Sequence, residues 1–168
     1  MTNKSLGRTR LMVVILFLAF SLAATGAVAW GAGKPAADFT LKDVLQGQNY
    51  TLSQFKGKVV MINFFTFFCG PCREEMPDLN KIYQENKDKG YQTLGIALSS
   101  DPTQIRFLVT QLGLTYPVLI GNDKVSDAYG NIVVVPTTFI IDKQGNVAQK
   151  IEGTRKKEDF EKMIKALL

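Results

Sequence analysis

The chain has 168 residues, with 20 basic and 15 acidic side chains, a formal net charge of +5, two cysteines and no histidine. Its own side chains therefore supply no four-ligand zinc site, no histidine-ligated haem and no Cys-His hydrolase pair. Three of the basic residues, Lys4, Arg8 and Arg10, precede Leu11; without residues 1–29 there remain 17 basic against 15 acidic side chains, a balance of +2. No basic cluster is then left to suggest nucleic acid, and Lys156 and Lys157 read as the solvated face of a mixed-charge helix.

Leu11 to Ala24 is almost wholly apolar and is followed by the small-residue site Ala27-Val28-Ala29, the layout of a secretory signal peptide. The uncharged stretch continues to Gly33, long enough to span a bilayer core of about 30 Å at about 1.5 Å per residue. Residues 1–29 are thus a signal peptide or an N-terminal membrane anchor. Under either reading the basic residues before the apolar run leave the rest of the chain outside the cytoplasm. Residues 34–168 make up one domain's length, sufficient for a core of its own.

Ala37 to Asp43 alternates apolar and polar residues, and Tyr50-Thr51-Leu52 returns after a turn containing Gly47, which predicts a hairpin. Ser53 to Lys58 is a short turn. Val59 to Phe65 is β-branched and aromatic with little alternation, the pattern of a strand buried on both faces. A helix is expected from about Cys69 to Lys89, with Met76, Leu79, Ile82 and Tyr83 on its apolar face, a kink at Pro77 and a stop at Gly90.

Tyr91 to Leu98 reads as a strand, and Asp101-Pro102 as a helix start with a capping acid and a proline at the first helical position. Ile105, Leu108, Val109 and Leu112 then recur at helical spacing before Gly113. Val118 to Ile120 is a short strand and Asp123 to Tyr129 a short helix. The apolar run from Val133 to Ile141 contains Pro136, which marks either the first residue of a strand or a special turn. Residues 142–146 form a turn, Val147 to Glu152 pairs back antiparallel, and a helix capped by Thr154 carries Phe160, Met163, Ile164 and Leu167. Strand and helix alternation predicts an α/β domain whose mixed sheet has parallel strands joined by crossovers.

The two cysteines, Cys69 and Cys72, stand where the buried strand passes into the helix. A helix N-terminus favours the thiolate, so Cys69 is the expected attacking sulfur. Cys72, one turn on, can resolve a mixed disulfide, and C-x-x-C bridges lie within ordinary Cα separations. A purely structural bridge is the competing reading, although closing so short a loop constrains the unfolded chain little.

Cys69-Gly70-Pro71-Cys72, Pro77 and Val135-Pro136-Thr137-Thr138-Phe139 resemble the thioredoxin superfamily. With Asn63-Phe64 before the motif, Arg73-Glu74-Glu75-Met76-Pro77 after it and the extra strand and helix between Ala97 and Ile120, the chain is similar to the TlpA-like and ResA-like exported thiol-disulfide oxidoreductases. The resemblance implies a thioredoxin-like fold with an N-terminal hairpin and a central strand-helix insertion. It also implies a cis-proline at Pro136 beside the dithiol and a Val135 backbone offered to an extended substrate. Phe68, Gly70, Pro71 and Thr137 complete the expected substrate-contacting set, with Phe68 where tryptophan is common.

Glu75 matches an acid that tunes thiol protonation; its alternative is an exposed acid at a helix start. Asn63 replaces the buried aspartate of thioredoxins proper, so Cys72 must lose its proton to Glu75 or to water. The implied activity is reduction, or less readily formation, of protein disulfides outside the cytoplasm. Its electrons would come from a membrane donor, with no cofactor or metal beyond the Cys69-Cys72 pair, and apocytochrome c is the family's frequent substrate. Two other functions compete: peroxide reduction, for which Thr66-x-x-Cys69 is half a motif, and a non-enzymatic binding or assembly module.

Overall fold

The computed structural model describes residues 33–168; the segment read as a signal peptide or anchor lies outside the described residues. The strands are β1 (Thr40–Asp43), β2 (Asn49–Thr51), β3 (Val59–Phe65), β4 (Tyr91–Ala97), β5 (Val118–Ile120), β6 (Thr137–Ile141) and β7 (Val147–Glu152), and the helices α1 (Gly70–Asn86), α2 (Pro102–Gln111), α3 (Asp123–Ala128) and α4 (Lys157–Lys165). They form one seven-stranded sheet in the order β2-β1-β5-β4-β3-β6-β7. The pairs β3-β4 and β4-β5 are parallel, and β1-β2, β1-β5, β3-β6 and β6-β7 antiparallel.

β3 and β4 are buried at every position, as their unbroken apolar runs require. On one face Met61, Phe65 and Tyr91 pack with Met76, Leu79 and Ile82 of α1, Ile105 and Leu108 of α2, and Phe160 and Ile164 of α4. On the other, Ile62, Phe64, Leu94 and Phe139 pack with Leu52, with Val125 of α3 and with Tyr129. Each large side chain so buried contributes roughly 1.5–3 kcal/mol relative to exposure. Gly121, just beyond β5, is fixed by close approach: a Cβ there would meet Ile96 Cγ2 at 2.7 Å and Leu98 Cδ2 at 2.8 Å.

The local signals are realised with three differences. The turn after β2 is a 3-10 helix, Leu52–Phe55. The long helix continues past Pro77, ends at Asn86, and passes through a 3-10 turn to Gly90, whose φ of 82° is the left-handed stop. Thr154 is not a cap: α4 begins after Lys156, with no side chain capping it. Among the described residues no helix is long and apolar enough to cross a membrane.

Candidate active site

β3 ends at Phe65, and the chain turns through Thr66 to Phe68 to start α1. The turn is held by Cys69 N–H donating to the Thr66 carbonyl (3.2 Å) and Phe67 N–H donating to Ser100 Oγ (2.9 Å). Cys69 is the N-cap of α1, and Pro71 stands in its first turn, where a proline nitrogen leaves no helical bond unmade. Cys69 and Cys72 form a disulfide with their Cα atoms 5.3 Å apart. Cys69 Sγ accepts the Cys72 backbone N–H at 3.1 Å. An amide N–H aimed at this sulfur favours its anionic form once the bridge is opened. Cys72 is buried, at 1% exposure, whereas Cys69 is half-buried, so an incoming sulfur meets Cys69 first.

Opposite the dithiol lies the loop before β6. The Val135-Pro136 peptide is cis, and the Val135 carbonyl oxygen is 3.8 Å from Cys69 Sγ. The sheet fixes the loop through two hydrogen bonds: Thr137 Oγ1 donates to the Val134 carbonyl (2.7 Å) and Gly153 N–H to the Pro136 carbonyl (2.8 Å). Pro136 is therefore the special turn of the two readings, and β6 starts only at Thr137. The apolar residues before it are outside the strand; Val133 is 80% and Val134 44% exposed. Phe68 is 76% exposed and meets Phe67 edge-to-face, with centroids 5.1 Å apart. Phe68 and Pro71, next to the cysteines in the chain, are thus exposed beside the dithiol. Gly70 and Pro71 lie between the cysteines, and Thr137 is buried behind the loop.

Glu75 is buried, not an exposed acid at a helix start. Its Oε1 accepts the Arg155 N–H at 2.9 Å, and its Oε2 accepts from Asn63 Nδ2 at 3.4 Å. The same Asn63 amide donates to Thr138 Oγ1 at 2.9 Å. This links α1, β3, β6 and the β7–α4 loop in one polar cluster. Burial raises the Glu75 pKa above the ordinary glutamate value, against the lowering effect of the Arg155 N–H and the Asn63 amide. A buried carboxyl group with a raised pKa therefore sits one helical turn beyond Cys72. Thr138 and the Arg155 backbone went unnoticed in the sequence, where only the register of β6 against β3, Asn63 facing Thr138, could have exposed the first.

A strand-to-helix dithiol facing a cis-proline loop, carried on a central mixed sheet, defines a thioredoxin-fold thiol-disulfide oxidoreductase. The chain belongs to the Redoxin family, whose profile matches residues 31–167. It is 36% identical over 165 residues to the thiol-disulfide oxidoreductase ResA of Geobacillus kaustophilus, covering 95% of this chain and 94% of that one. To the ResA of Bacillus anthracis it is 40% identical over 138 residues, 80% of this chain and 78% of the other. Among solved structures, a thioredoxin-family thiol:disulfide interchange protein from Chlorobium tepidum superposes with a TM-score of 0.75 at 32% identity, over 80% of this chain and 95% of that one.

Proposed function

We propose that the protein is an extracytoplasmic reductant of protein disulfides, with Cys69 as nucleophile and Cys72 as resolving thiol. The Cys69 thiolate attacks one sulfur of a substrate disulfide, forming a mixed disulfide and releasing one substrate thiolate. Cys72, deprotonated, then attacks Cys69 Sγ; the second substrate thiolate leaves and the Cys69-Cys72 bridge forms. Two electrons have passed to the substrate, and both of its sulfurs leave as thiols once protonated. Glu75, with its raised pKa, takes the proton from Cys72 directly or through water.

The observation that carries this reading is the asymmetry of the pair, with Cys69 half-buried beside the Val135 carbonyl and Cys72 enclosed. Val135 offers its backbone to an extended substrate segment, and Phe68 and Pro71 give that segment an apolar seat. The cysteines of apocytochrome c before haem attachment are the substrate class, in line with the ResA-like resemblance. The apolar segment after Arg10 supports a location outside the cytoplasm, as an exported protein or on a membrane anchor. A pneumococcal thioredoxin of similar fold, 29% identical to this chain, is an exposed lipoprotein. The Cys69-Cys72 bridge formed at each turnover must then be reduced again, by a membrane donor that supplies two electrons.

Trapping tests the assignment. Cys72→Ser should accumulate a covalent mixed disulfide with a protein substrate, and Cys69→Ser should form none. Trapping through Cys72 in the Cys69 variant, or turnover by either variant at the unmodified rate, would reverse or remove the assigned roles.

A further inference from the structure

The chain from Leu11 to Gly33 carries no charge, and Gly33 is where the described domain begins. Hydrogen bonds fix its position. Gly33 N–H donates to the Val147 carbonyl and Val147 N–H to the Lys34 carbonyl, both at 2.8 Å, and Ala36 N–H donates to the Gly145 carbonyl at 2.9 Å. These contacts place Gly33 against the β6–β7 turn. That turn is at the far end of the sheet from the dithiol, because β6 runs antiparallel to β3, with Thr137 level with Phe64 and Ile141 level with Val60. Cys69 follows the opposite end of β3, so the strand's rise of about 3.3 Å per residue separates the two ends by roughly 20 Å.

The same end of the molecule gathers lysines. Lys56 and Lys58 precede β3, and Lys87 and Lys89 lie in the turn whose Gly90 carbonyl accepts the Val59 N–H. Lys34 and Lys143 flank the β6–β7 turn itself, where Gly57 N–H donates to the Lys143 carbonyl. Against these six lysines stand four acids, Asp38, Asp88, Asp142 and Glu85 in the last turn of α1; the other described residues carry 11 basic and 11 acidic side chains. The positive excess of the domain is thus confined to this end. Among the described residues none of the six lysines pairs with an acidic side chain, but Lys143 Nζ donates to the Leu168 carbonyl. Two of the acids are occupied locally: Asp38 accepts the Phe39 and Ser53 N–H groups, and Asp142 those of Gln144 and Asn146.

We infer that this lysine-bearing end is a docking face for the anionic phospholipid headgroups of the bilayer that the apolar segment enters, so that the dithiol points away from the membrane. The inference rests on the anchored form of the proposed function. A polybasic surface next to a membrane segment is drawn to an anionic leaflet over about a Debye length, some 8 Å at physiological ionic strength. Because Gly33 is bonded into the β6–β7 turn, little free linker is left to let the domain turn over. The fixed orientation presents Cys69, Phe68 and the Val135 loop to polypeptides held out from the membrane surface.

The test uses the full chain reconstituted in vesicles of phosphatidylcholine alone or with about one-third phosphatidylglycerol. Flotation reports attachment, and amine acylation read by mass spectrometry reports orientation. Lys56, Lys58, Lys87 and Lys89 should label at least about fivefold more slowly on the anionic vesicles, with the protection lost in about 0.5 M salt. Lys124, which follows β5 at the dithiol end, should label alike on both. Replacing Lys56, Lys58, Lys87 and Lys89 with Glu should abolish the lipid difference and leave disulfide reduction in detergent unchanged.

Flotation with equal labelling on the two lipids overturns the inference and leaves attachment standing. Failure to float with either lipid overturns the anchored reading and the inference together. Protection in native membranes but not in pure lipid would assign the face to a protein partner and overturn the lipid assignment.

Discussion

Glu75 is the residue at which the proposed chemistry and the stability of this protein oppose each other. Its carboxyl is favoured in the protonated form by burial, so the native state holds that proton more tightly than the unfolded chain does. An acid with a raised native pKa contributes stability that is present below its ordinary value, about 4.3, and is lost as pH rises through the native value. Glu75→Gln should therefore match the parent in thermal midpoint near pH 4 and exceed it near pH 7, a comparison that calorimetry at the two pH values makes directly. The same substitution should slow disulfide reduction by about 100-fold, the lower end of what general acid-base groups supply, and remove a pH-dependent limb from the rate profile. Asn63→Ala deprives Thr138 and Glu75 of a shared donor in a buried site and should cost about 1–3 kcal/mol in urea unfolding.

At the level of elements, the helix starts follow directly from local chemistry. Asp101 Oδ1 accepts the N–H groups of Thr103 at 2.8 Å and Gln104 at 3.2 Å, with Pro102 first in α2. Asp101→Ala should cost about 1 kcal/mol and leave the redox potential of the dithiol unchanged, since the cap does not touch the site. The buried strands β3 and β4, the hairpin β1-β2 and the Gly90 stop were all legible, because each is written in residues near one another in sequence. The start of α4 was not. Thr154 has the chemistry of a cap, but the loop is spent bringing the Arg155 N–H to Glu75, and the helix begins later without a side-chain cap. Likewise the apolar run from Val133 left open whether Pro136 opens a strand or makes a special turn; it makes the turn, and Val133 and Val134 stand exposed before it.

For the whole molecule, the sequence disclosed the dithiol and the proline loop by composition and spacing, whereas their meeting depends on the pairing of β6 beside β3. The polar cluster of Asn63, Glu75, Thr138 and the Arg155 N–H joins four segments far apart in the chain, and only the closed sheet assembles it. The sheet also sets the polarity of the molecule, with the dithiol at one end and Gly33 among lysines at the other.

The central claim, that Cys69 and Cys72 form a reducing dithiol, is tested most directly by the reduction potential of the pair, equilibrated against a glutathione or dithiothreitol series. The Gly70-Pro71 dipeptide is that of reducing thioredoxins, which lie near about −270 mV, and the account predicts a value at or below about −250 mV. A value between about −180 and −120 mV would contradict it and assign the protein to disulfide formation or isomerisation.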